Sequence, residues 1–170
     1  RRCSDLLEKK CAEVLIGRGF VVISQHSDTT GPAVACENAA DQGKTIYHVG
    51  YNQSMIDVAP TTTLISSRID WSEYIVAAAN AVLNDDNIED CVVGNVNGHD
   101  VGAGFDEGWV QMLEINSLIV ADGTEAAVDE AIKKLKKGQL EVFKGDYIGV
   151  NPMDDSDVID LNTGYEENKD

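Results

Sequence analysis

The residues best suited to chemistry in this chain are polar groups that follow short apolar runs. Gln25-His26-Ser27-Asp28 comes directly after Phe20-Val21-Val22-Ile23-Ser24 and sets an amide, an imidazole, a hydroxyl and a carboxylate within four positions. Such a set both donates and accepts hydrogen bonds, which is what holding a small polar molecule requires. Asn52, Gln53 and Ser54 form a second set, and Ser66, Ser67 and Arg68, with Trp71 close behind, a third. Each set also fits a plainer role. A polar run after a strand suits a solvated turn, His26 suits capping of the helix that follows, Trp71 suits core packing, and Asp70 suits a helix N-cap.

Catalytic patterns are poorly represented. The chain has no Gly-x-Ser-x-Gly elbow, no phosphate-cradling Walker loop and no His-Glu-x-x-His. Gly102-Ala103-Gly104 with Gly108 is one residue too long for a dinucleotide fingerprint, and a strand-like run follows where a helix is needed. His99 and Asp100 are neighbours without a nucleophile beside them. Asp154, Asp155, Asp157 and Asp160 depart from the spacing of an EF-hand loop and read as a solvated acidic turn. The cysteines (Cys3, Cys11, Cys36, Cys91) lack metal-ligand spacing. Cys3 and Cys11 fall two turns apart on one helix, too far to bridge, so buried free thiols are expected. Neither a metal nor a cofactor is expected.

The elements that must position these groups alternate. An opening helix runs to Gly17 and Gly19, capped by Ser4, with Leu7, Cys11, Val14 and Leu15 as its apolar face. The continuous run 20–24 predicts a strand buried on both faces. Gly31-Pro32 opens a second helix that Gly43 ends. Strands are predicted over 45–51 and 63–69, followed by a long helix capped by Asp70 with Trp71, Ile75, Ala78 and Val82 as its inward stripe. Beyond it come a candidate strand from Cys91 to Val96, a Gly-rich loop over 98–108, another strand over 109–115, and a helix capped by Thr124. That helix carries Val128, Ala131, Ile132 and Leu135, and its lysines lie near the C-terminal dipole. Leu140-Glu141-Val142-Phe143 predicts a last strand, and past Gly145 the chain is acidic and turn-rich, with a frayed end. The fold class is therefore α/β, a mostly parallel sheet with helices on both faces. An α/β unit usually opens on a strand, so the opening helix implies an upstream piece.

With 170 residues, 43% of them hydrophobic, the chain is long enough for one α/β domain or slightly more. Its net charge of −17 argues against nucleic acid and anionic membrane surfaces as partners. No apolar run reaches the length of a membrane span, and no signal peptide is visible.

Taken in order, Val21-Val22-Ile23-Ser24-Gln25-His26-Ser27-Asp28-Thr29, Val49-Gly50-Tyr51-Asn52, Ala59-Pro60, Leu64-Ile65-Ser66 and Asp70-Trp71-Ser72-Glu73-Tyr74 resemble the basic membrane protein family. The stretch from Gly104 to Leu113 and the run Lys137-Gly138-Gln139-Leu140-Glu141-Val142-Phe143-Lys144-Gly145 continue the resemblance, which covers most of the chain up to about Gly145. It implies a substrate-binding lipoprotein of an ABC importer, not an enzyme, with two lobes of the type I periplasmic-binding kind closing over a ligand. Residues 1–145 would then be the C-terminal lobe and 146–170 an acidic C-terminal segment, with the N-terminal lobe lying outside this chain. The implied location is extracytoplasmic, either membrane-anchored or periplasmic. The implied partners are an ABC permease, the N-terminal lobe and a purine-like small molecule, contacted by Gln25, His26, Asp28, Asn52, Ser54, Ser67 and Trp71. Asn52 and Ser54 stand where family members often carry acidic residues, and Arg68 is displaced by one position from a basic residue of nucleoside receptors. Another purine or another small polar solute therefore stays open. The alternatives are a small nucleotide-dependent α/β enzyme using His26, Asp28 or His99, and a ligand-sensing module of a signalling protein.

Overall fold

A computed structural model describes residues 4–92, 94–97, 100–151 and 153–163. The chain divides into two compact units, the first ending at Ala126. The first unit alternates as its sequence predicts: α1 (Asp5–Gly17), β1 (Val22–Ser24), α2 (Gly31–Asp41), β2 (Tyr47–Tyr51), β3 (Thr63–Ile69), α3 (Ser72–Asn84) and α4 (Ile88–Cys91). Two short antiparallel strands follow, β4 (Asn95–Asn97) and β5 (Asp100–Gly102), then β6 (Val110–Met112). The main sheet has the order β1-β2-β3-β6, with β1, β2 and β3 parallel and β6 antiparallel to β3. This is the mostly parallel α/β sheet expected, and the parallel register sends the carboxyl ends of β1, β2 and β3 to one edge.

The core beside β1 is built from small residues. Ala12 and Ile16 of α1 meet Ala35, Cys36 and Ala39 of α2, with Ile23 of β1 and Ile46 just before β2. Close approach of the two helices depends on Gly31, where an added Cβ would lie 2.5 Å from the Asp5 carbonyl oxygen and 3.0 Å from the Lys9 nitrogen. A second cluster joins Ala33 of α2 to Met55 and Ala59 of the segment between β2 and β3.

Several expectations are corrected. Leu7, Val14 and Leu15 are exposed and α1 turns Ala12 and Ile16 inward, because close helix packing selects the small-residue face. Ser4 sits at the N-cap without a side-chain capping bond. Phe20, Val21 and Val22 are exposed, and only Ile23 of β1 is buried, since β1 is an edge strand of the sheet. The inward stripe of α3 is not Trp71, Ile75 and Val82, all exposed. It is the row Tyr74, Ala77, Ala78 and Ala81, with Ala81 fully buried. Cys36 is buried, and burial pushes its thiol up to about 11, but Cys11 and Cys91 are exposed. Cys3, His99 and the acidic end beyond Thr163 lie outside the described residues.

Cys91 closes α4 instead of opening a strand, and the Gly-rich stretch holds β5. Leu140–Phe143 forms no strand. The helix α5 (Thr124–Lys136) spans the division between units and ends at Gly138, whose φ of +61° suits a residue without Cβ. The acidic stretch read as a turn is mostly strand. In the second unit, β7 (Ile148–Asn151) pairs antiparallel with β8 (Asp154–Asp160). The Tyr147 hydroxyl donates to the Val142 carbonyl oxygen at 2.7 Å, and Leu161 is the buried apolar residue there.

Candidate functional site

Each parallel strand delivers one polar segment to the common edge. The first leaves β1 at Gln25, whose backbone N–H extends the ladder by donating to the Val49 oxygen at 3.2 Å. Its side chain is buried beneath the loop, donating to the carbonyl oxygens of Ser27 at 2.9 Å and Thr29 at 2.8 Å. The loop thereby closes over Gln25, and His26 and Asp28 face outward, both exposed. Thr29 anchors the far end by donating to the Glu8 carboxylate of α1.

The second segment leaves β2 at Asn52, which adopts a left-handed φ of 64°, a conformation that asparagine tolerates better than most side chains. Its backbone N–H donates to the Ser67 oxygen at 2.6 Å, and its side-chain amide donates to Asp28 Oδ1 at 2.6 Å. The rings of His26 and Tyr51 lie 4.3 Å apart at 44°. The first and second segments are thus joined twice, and the second is tied to β3. Ser54 lies on the exposed turn beyond, its hydroxyl accepting from the Ile56 N–H at 3.4 Å.

The third segment belongs to β3. Ser67 is opposite Tyr51 in the ladder and is half-buried, while Ser66 is fully buried and its hydroxyl has no partner among the described residues. Arg68 donates to Gln111 Oε1 at 2.9 Å and pairs with Asp70 at 3.1 Å, and Gln111 donates to the same Asp70 oxygen at 3.1 Å. Asp70 also accepts from the Ser72 hydroxyl and backbone N–H, but the N-cap position of α3 is Trp71, so Asp70 closes a turn one residue ahead of the cap instead of capping the helix as its sequence position predicts. The Ser72 contacts, followed by the Arg68 charge, hold its carboxyl below the ordinary range. Trp71 is 54% exposed and rests against Tyr74 and Trp109, with ring centroids 6.2 and 6.3 Å away. Trp109 is buried, and its indole N–H has no partner among the described residues.

Of the seven residues singled out in the sequence, His26, Asp28, Asn52 and Ser67 therefore meet across one strand edge. Gln25 lies just behind them, Ser54 further along the second segment, and Trp71 in a separate aromatic cluster with Tyr74 and Trp109, at the start of α3 and just before β6. Sequence reasoning missed His48, Tyr51, Thr63, Trp109 and Gln111. One of these was legible: strand periodicity places Ile46, His48 and Gly50 on one face, and all three are buried. The exposed groups can accept and donate hydrogen bonds and present ring faces. Among the described residues, no group of three or more His, Cys, Asp or Glu is placed to hold a metal ion.

This α/β fold is shared with solved solute-binding proteins. The chain belongs to the Bmp family, described as ABC transporter substrate-binding protein, PnrA-like, whose model matches residues 4–142. That is a family of binding proteins rather than enzymes, and its substrate-binding role is extracytoplasmic. Among curated proteins, the chain is similar to a purine-binding protein of Brucella abortus (strain 2308), with 30% identity over 138 residues, covering 81% of this chain and 35% of the relative. Among solved structures it resembles an ABC transporter solute-binding protein from Aeropyrum pernix K1 (TM-score 0.58, 16% identity, covering 83% of this chain and 45% of that one). A second is the solute-binding protein from Conexibacter woesei DSM 14684 (TM-score 0.54, 16% identity, 84% and 43%). The chain thus spans less than half the length of these relatives. Among the described residues, no helix is long and apolar enough to cross a membrane.

Proposed function

We propose that this chain is the C-terminal lobe of the solute-binding component of an ABC importer and that its ligand is a purine base or nucleoside. In this reading residues 1–145 form the lobe, 146–170 are an acidic C-terminal segment, and the N-terminal lobe supplies the opposing face. Ligand bridging the two lobes shifts the open–closed equilibrium sensed by the permease. The protein works outside the cytoplasm, lipid-anchored or periplasmic.

The observation that carries the reading is the joining of His26, Asp28, Asn52 and Ser67 at one strand edge, linked by the Asn52–Asp28 and Asn52–Ser67 hydrogen bonds. Asp28 is an acceptor suited to a base N–H or a ribose hydroxyl, Asn52 and Ser67 suit ring nitrogens and carbonyls, and His26 offers a stacking face. Ser54 and the exposed Trp71 ring extend the contact surface, with Gln25 supporting it from below. The similarity to a purine-binding protein supports the choice of ligand.

Thermal unfolding of the full-length protein with a panel of adenine, guanine, hypoxanthine, xanthine and their nucleosides tests the reading. At about 100 times Kd, binding stabilises by about 2.7 kcal/mol and raises Tm by roughly 3–4 °C for a protein about twice the length of this chain. Asp28→Ala is expected to abolish most of that shift while leaving ligand-free Tm nearly unchanged. No shift with any member of the panel would overturn the purine assignment.

A further inference from the structure

We propose that His48 is a positioning residue for the ligand loop, acting through Gln25 on the backbone that presents Asp28; the loop's being a ligand loop rests on the reading above. His48 is the second residue of β2 and is completely buried. A buried imidazole must find partners for both ring nitrogens. Nε2 is 2.8 Å from Gln25 Oε1 and Nδ1 is 3.2 Å from Thr63 Oγ1.

The proton positions follow from the partners. Gln25 Nε2 faces two carbonyl oxygens, those of Ser27 and Thr29, which accept only, so it uses both amide hydrogens there. Gln25 Oε1 must then be the atom facing His48 and needs a donor, which puts the imidazole hydrogen on Nε2. Burial holds the ring neutral, with its pKa pushed down to about 4, so Nδ1 is left as an acceptor, and the single hydrogen of the Thr63 hydroxyl goes to it at 3.2 Å in preference to the Met55 carbonyl oxygen at 3.3 Å. The result is a directed chain from Thr63 on β3 through His48 on β2 to Gln25, and on to the backbone at Ser27 and Thr29. Those two carbonyls bracket Asp28, whose carboxylate meets Asn52. Without the Nε2 donor, Gln25 Oε1 is stranded in the interior, the amide turns to find another partner, and the loop loses both clamps at once.

The experiment compares the full-length protein with His48→Leu and His48→Gln, whose side-chain amide supplies a donor to Gln25. Ligand-free hydrogen exchange is followed at residues 26–30 and at 33–40 of α2, and adenosine affinity is measured by calorimetry. His48→Leu is expected to speed exchange at 26–30 about 10-fold with α2 nearly unchanged, and to weaken adenosine about 10-fold, the worth of one hydrogen bond. His48→Gln is expected to restore both to near the parent value. Unchanged exchange at 26–30 in His48→Leu, or equal loosening of the loop and α2 in both variants, would overturn positioning. Should His48→Leu fail to fold, 15N resonances of the parent protein decide: hydrogen on Nε2 supports the chain, and hydrogen on Nδ1 overturns it. If the parent binds no adenosine, the choice of ligand is what fails, because the exchange and tautomer results judge His48 without any ligand.

Discussion

His48 also governs how the protein meets acid. Its pKa falls from 6.5 to about 4 because burial disfavours the imidazolium. The unfolded chain therefore takes up this proton first as pH falls. Stability is unaffected by this group above its unfolded pKa, and declines as pH drops through the window between 6.5 and about 4. The slope is about 1.4 kcal/mol per pH unit, amounting to roughly 3 kcal/mol over the window. Urea unfolding at intervals from about pH 7 to about pH 4 should show that loss, and His48→Gln, which has no proton to gain, should flatten it. Equal slopes in the two proteins would mean that other groups dominate. The neighbouring residues divide by solvent contact: Asp28 and His26 are exposed and free to meet a solute, whereas Gln25, one step earlier, is engaged internally. That division was not legible in the Gln-His-Ser-Asp string, because four adjacent polar residues carry no mark of which one the loop will close over.

At the scale of elements, Gly50 shows why β2 and β3 lie as they do. An added Cβ there would collide with Ser66 Oγ and come within 2.8 Å of Met55 Cγ, both fully buried neighbours. Gly50→Ala is therefore expected to destabilise the protein by about 1–3 kcal/mol, the usual cost of overpacking a dense interior. Because Gly50 and Ser66 are in register just before Tyr51 and Ser67, the same change should loosen the Asn52 turn. Denaturant unfolding gives the first effect, and faster exchange of the Asn52 amide gives the second. A variant as stable as the parent would show that the strands can separate at little cost. The elements themselves were largely readable: α2 has Pro32 at its start and Gly43 past its end, and β3 runs over the predicted residues. The hairpin of β7 and β8 was not. Aspartate is poorly represented in strands, and pairing across the hairpin, rather than local preference, holds Asp154–Asp160 extended.

Over the whole molecule, the two compact units differ in how much they bury. The first contains the Ala- and Ile-rich cluster, buried Met55 and the His48 chain. In the second, every residue of β8 is exposed. Local opening free energies follow such differences. Hydrogen exchange of the full-length protein should therefore protect amides of β2 and β3 more than those of β7 and β8, by at least about 100-fold. Comparable protection in both would show that the second unit gains its stability from contacts beyond its own residues.

The sequence by itself determined the strand–helix alternation, the family and the three polar segments, because each is written in local pattern: apolar runs, turn residues and the order of short motifs. Only the tertiary structure decided which faces are inward, where close helix contact selects alanine and glycine over the leucine and valine that periodicity favoured. It likewise decided that His48 stands behind the loop, since burial and hydrogen-bond partners are set by residues far apart in the chain. Parallel pairing of β1, β2 and β3 brings Asp28 to Asn52 and Asn52 to Ser67, and no spacing along the chain encodes those meetings.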